Sequence, residues 1–168
     1  MPLHYGTSAA EADRAGLELV NPFKAGDAAA EARGAEVYQA FCKVCHGASG
    51  SGDGVVPRRG YPPPPSFLAG APALLRDGRI FHAITYGKGN MPSYAAQVAR
   101  EDRWKAVLYV RSLQKQAAAD AAAAQAAARA AAKKAAPKNA AVKPAEATAT
   151  EKPVAGKALM KKASEKAR

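Results

Sequence analysis

Two thiols and an imidazole fall within five residues, as Cys42, Cys45 and His46, and the chain holds no other cysteine. A Cys-x-x-Cys spacing serves several chemistries, each with further demands. An iron–sulfur cluster wants a full set of cysteines that two cannot supply. A structural zinc ion would need Cys42, Cys45 and two of His4, His46 and His82, and the adjacent Cys45 and His46 converge poorly on one tetrahedral centre. A redox dithiol sits at a helix start in a strand–helix–strand setting, whereas here a helical pattern precedes the pair.

The remaining chemistry is covalent. In C-x-x-C-H the two thiols form thioethers with a porphyrin and the following imidazole reaches its iron, and Cys42, Cys45 and His46 match every element. An electron-transfer haem also needs a ligand from the opposite side, usually methionine or histidine. Met91 follows His46 by 45 residues, enough chain to wrap around a porphyrin. Gly87, Gly89 and Asn90 precede it in a loop, and Pro92 restricts it to extended backbone. Its competitors are His82, which sits in a helical pattern beside Phe81, and the more distant His4. A methionine filling a core gap is the plainer alternative for Met91.

Three zones must position these residues. Residues 1–26, with Pro2, Gly6, Gly16, Pro22 and Gly26, read as an extended arm. Residues 27–116 read as a folded domain with helices starting at Asp27 and Asp77, the latter ending at Gly87, and a third opening with Glu101 and Asp102. Between them, residues 47–72 are rich in glycine and proline and read as ordered loop without a ladder-forming strand. The "GSGDG" stretch lacks the strand and helix of a phosphate-binding loop and reads as a turn. Residues 117–168 form an Ala/Lys/Pro-rich tail, helical at first and disordered later. The tail dominates the formal charge of +11: basic residues outnumber acidic ones 13 to 10 through residue 114 and 12 to 4 beyond it. So small a core is completed by a cofactor. No apolar run spans a bilayer, and Met1–Tyr5 does not resemble an export signal.

Together these residues resemble a class I cytochrome c, which implies a small all-α fold of three or more helices around one covalent haem c. In that family a glycine and an aromatic on the first helix meet an aromatic on the last, matching Gly34 and Tyr38 with Tyr109 or Trp104. A proline carbonyl orients the proximal histidine, a role that falls by position on Pro65, with Pro64 as rival. Arg59, beside Arg58 and Lys88, is a candidate for the haem propionates. Phe67, Leu68, Ile80, Phe81 and Trp104 are expected to wrap the haem.

Over residues 21–116, "CKVCHGASGSGDGVVPRRGYPPPPSF", "GKGNMPSY" and "EDRW" resemble more closely the mono-haem cytochrome c subunit of bacterial alternative complex III, a quinol-oxidising respiratory complex. The resemblance implies an electron-transfer subunit with no catalytic residues of its own. Its partners would be the other subunits and a redox protein. Its place would be the periplasmic side of the inner membrane, held through partners or an anchor not visible in the sequence. A subunit of another periplasmic dehydrogenase or oxidase complex, and a haem peroxidase, are the alternatives. Nucleic acid is not an expected partner, and the basic tail would stay solvated or meet anionic lipid heads instead.

Overall fold

The computed structural model of the chain describes residues 4–135. Six α-helices are formed and, among the described residues, no strand beyond an isolated bridge between Lys88 and Met91. This is the all-α architecture expected of a class I cytochrome c.

Helix α1, Ala9–Glu18, lies in the segment expected to be an extended arm. Its start is a capping pair: the Ser8 side chain accepts from the Glu11 N–H, while the Glu11 carboxylate reaches back to the Gly6 N–H. What makes the helix stable is its partner, since it packs along α5, Asp77–Tyr86. A Cβ at Gly78 would collide with the Ala15 carbonyl oxygen, so the approach depends on glycine. His82 Nε2 bonds the Gly6 carbonyl at 2.8 Å and Arg79 pairs with Asp13. After α1, Asn21 ties the chain to the core, with Nδ2 donating to the Trp104 carbonyl at 3.1 Å.

Helix α2, Ala28–Val37, begins where Asp27 accepts from the Ala30 N–H. It runs through a π-helical turn, Tyr38–Cys42, into α3, Lys43–His46. Glycine, proline and a 3₁₀ turn, Pro57–Arg59, fill most of the connection to α4, Gly70–Ala73, and then α5. Helix α6, Arg100–Ala135, carries the aromatic core and continues without a break through the alanine-rich start of the tail. Arg111, within it, donates from Nε to Asp77 at 2.7 Å, joining α6 to the start of α5. The expected disorder of the later tail concerns residues outside those described.

Helices α2 and α6 cross at Gly34, where a Cβ would fall well inside contact distance of the Lys105 carbonyl oxygen. Tyr38 then meets Tyr109 with ring centroids 5.3 Å apart. Trp104, the other candidate for this contact, stacks instead on Phe81 at 3.9 Å. Phe81, Ile84, Trp104 and Val107 form one buried cluster, and Val37, Val98 and Ala106 a second, with Tyr94 packed against both.

Candidate haem site

Between these clusters and the proline-rich loop lies a cavity of about 560 Å3, a size suited to a cofactor. Cys42, Cys45, His46, Met91 and Tyr94 all line it, with Pro62–Pro65 and Phe67 also in the lining. The wall is overwhelmingly apolar: it includes no carboxylate, and Lys88 is its one cation. Water is poorly accommodated by such a lining, and a large flat apolar group well.

The attachment side is built locally. Burial pushes the Cys42 thiol up to about 12, with Cys45 adding to the shift. It is therefore protonated at neutral pH, the opposite of the activated thiolate that a dithiol catalyst requires. Burial also lowers His46 to about 4, which keeps its imidazole neutral and able to ligate a metal. Its ring stacks on Phe67 at 4.4 Å. Tyr38, fully buried, donates its hydroxyl to the Gly47 carbonyl at 2.8 Å and so pins the residue after the histidine.

The Met91 side is built from several parts of the chain. Lys88 and Met91 exchange reciprocal backbone hydrogen bonds of 3.0 Å, closing a tight loop after Gly87 ends α5. The last carbonyls of α5 are left without helical partners, and the loop supplies them: the Tyr94 N–H donates to Ile84 at 2.9 Å and the Ser93 hydroxyl to Thr85 at 2.6 Å. From the proline-rich side, the Tyr61 hydroxyl donates to the Asn90 carbonyl at 2.9 Å. Met91 itself packs against the Phe81–Trp104 cluster.

Two expected ligand alternatives are drawn elsewhere. His82 is 3% exposed, bonded to Gly6 and outside the cavity lining. His4 is exposed, and its carbonyl accepts from Arg14. Neither reaches the cysteines, so the two further ligands of a zinc site are not assembled. Pro64 and Pro65 both line the cavity, but neither carbonyl accepts from His46, whose Nδ1 is buried without a hydrogen-bond partner. Arg59 and Arg58 are exposed on the 3₁₀ turn and do not line the cavity, whereas Lys88 does. Of the wrapping residues, Phe67 and Ile80 line it, while Leu68, Phe81 and Trp104 do not; Phe81 and Trp104 form the layer beneath.

The chemistry of this donor set fits a haem: paired thiols beside a neutral imidazole, an apolar slot, and a thioether in the lining of the same slot. Residues 29–110 match the family model described as cytochrome c oxidase, cbb3-type, subunit III. The chain carries a c-type cytochrome domain. A cytochrome c domain implies haem c, and the residues above are those of this chain that can hold it. Among solved structures, a chain of the Kuenenia stuttgartiensis reducing HAO-like protein complex matches at 26% identity with a TM-score of 0.46, over 55% of this chain and 46% of that one. This chain therefore spans less than half of that chain's length. No curated protein matches.

Sequence reasoning missed Tyr61 and Tyr94 as parts of the cytochrome c site. The Tyr94 signal was present, since an aromatic three residues after Met91 can reach back over the α5 end. Tyr61 carries no local signal, because its partner Asn90 is remote in sequence.

Proposed function

We propose that the chain is a mono-haem electron carrier, working as a subunit of the quinol-oxidising alternative complex III on the periplasmic side of the inner membrane. The observation that carries the haem reading is one apolar cavity lined by Cys42, Cys45, His46 and Met91 together. The choice of complex is supported by the "RRGYPPPPSF", "GKGNMPSY" and "EDRW" segments. The family-model match favours a second reading, in which the same carrier serves a terminal oxidase.

When bound, haem c supplies a one-electron Fe(III)/Fe(II) couple. Cys42 and Cys45 would hold it covalently, and His46 and Met91 are the residues that would ligate its iron. A thioether ligand favours the ferrous state more than a second histidine would. The apolar lining excludes water and disfavours added positive charge in the same direction. Met91 would occupy the position that a peroxidase leaves open, which favours electron transfer over substrate turnover. No helix among the described residues is long and apolar enough to cross a membrane. Attachment to the membrane would then run through partners or an anchor.

The test is expression of the full chain in a host able to mature c-type cytochromes, followed by haem staining after denaturing electrophoresis and by intact mass. One haem of added mass is expected, and a mass equal to that of the bare polypeptide would sink the reading. Purification of the native complex, with haem reduction on adding quinol, separates the two complexes. Reduction by quinol without another cytochrome complex supports the first, and co-purification with an oxygen-reducing oxidase core supports the second.

A further inference from the structure

Against Phe81, in the cluster on which Met91 packs, lies a charge that haem attachment does not need. Arg103, from the "EDRW" segment, is 7% exposed, and among the described residues no ion pair involves it. Its guanidinium stays protonated, and burying such a charge without a counter-ion is costly. Nη1 donates to the Thr85 hydroxyl at 2.7 Å, the guanidinium lies 5.2 Å from the Phe81 ring centre, and Nε is buried without a partner.

Its position ties this charge to the sixth-ligand side. Arg103, Ala106, Val110 and Gln114 recur at helical spacing, and the last three line the cavity. Arg103 therefore lies on the cavity side of α6, one turn before the lining begins. Thr85, which accepts from Arg103, donates its own hydroxyl to the Phe81 carbonyl, and its carbonyl receives the Ser93 hydroxyl two residues after Met91. The hydrogen-bonded line thus runs from α6 through the end of α5 into the Met91 loop.

We propose that Arg103 is a positioning residue for Met91, fixing the loop through Thr85 and raising the reduction potential with its buried positive charge. The proposal rests on the haem reading. A fixed cation in an apolar interior disfavours the more positive oxidised state, and the Thr85 bond transmits its placement to the loop.

The full-length holoprotein is compared with Arg103→Met, Arg103→Lys and Thr85→Val by redox titration, by cyanide binding to the ferric form, and by amide exchange at Met91 and Tyr94. Arg103→Met is expected to lower the midpoint potential and tighten cyanide binding roughly tenfold, the scale of one lost charge-assisted hydrogen bond. Arg103→Lys keeps the charge and holds the midpoint near the parent. Thr85→Val keeps the charge but loosens the loop, with tighter cyanide binding and faster exchange at Tyr94. A parental midpoint and cyanide affinity in Arg103→Met overturn the proposal, even if thermal stability falls. If that variant does not fold, parental cyanide affinity and exchange in Thr85→Val overturn it. A parent without covalent haem defeats the haem reading itself, whereas a haem-loaded parent with indifferent variants defeats only the role given to Arg103.

Discussion

The Cys42–His46 segment is a continued helix fixed by Tyr38 at Gly47 and by Phe67 stacked on His46, whereas the Met91 loop is fixed by its neighbours Ile84 and Thr85, by the remote Tyr61 and, through Thr85, by Arg103. The shape of that loop depends on the ends of two helices and on a distant tyrosine. The difference separates two tasks. The attachment chemistry is written in five consecutive residues, while the sixth ligand is recognised only through contacts such as Tyr61 with Asn90 that the fold brings together.

The sharpest way to break this comparison is to disable each part separately. Cys42→Ser combined with Cys45→Ser is expected to abolish covalent haem entirely, as read by haem staining and mass. Met91→Ala should leave attachment intact, lower the midpoint potential and open the iron to carbon monoxide. Loss of attachment in Met91→Ala would mean that the two parts are not independent. Gly34→Ala tests the crossing that supports both parts, and the clash with the Lys105 carbonyl should cost about 1–3 kcal/mol in denaturant unfolding. Ser93→Ala is expected to cost about 1 kcal/mol and to raise exchange at the Met91 loop only.

The smallest effect concerns the α2–α6 pair away from either part. Arg33 Nη2 donates to Asp102 at 2.7 Å, and this hydrogen bond holds the Asp102 carboxyl below its ordinary value. A carboxyl lowered by folding contributes stability above its unfolded value and loses it as pH falls through its folded one. Asp102→Asn should therefore cost less than about 1 kcal/mol at neutral pH, an exposed-pair magnitude. The difference from the parent should vanish as pH drops below the carboxylate range, measured by urea unfolding across pH.

Much of this was legible where the signal was local. Asp27 capped α2, Gly87 ended α5, and Glu101 and Asp102 opened α6, because caps and termini are written within a turn of where they act. The close approach at Gly34 was legible through the cytochrome c resemblance. Helix α1 was not read, although Ser8 and Glu11 spell a capping pair, because alanine and glycine offer too little apolar surface to suggest burial. Its stability comes from α5, which only the fold brings near. His82 was weighed as a ligand and instead fastens that segment through Gly6, a contact across 76 residues that no periodicity reveals. The orientation of His46 by Pro65 is not made here, since Nδ1 has no partner.

The burial of Cys42 bears on when the cofactor must arrive. In the finished fold it is only partly exposed, its thiol pushed up to about 12, and the Tyr61–Asn90 bond joins the proline-rich segment to the Met91 loop, both of which line the cavity. Thioether formation needs sulfur within reach of both the porphyrin and the machinery that attaches it. A chain with the Tyr61–Asn90 bond not yet made offers both thiols from an open side, so attachment is expected to precede closure of the Met91 loop.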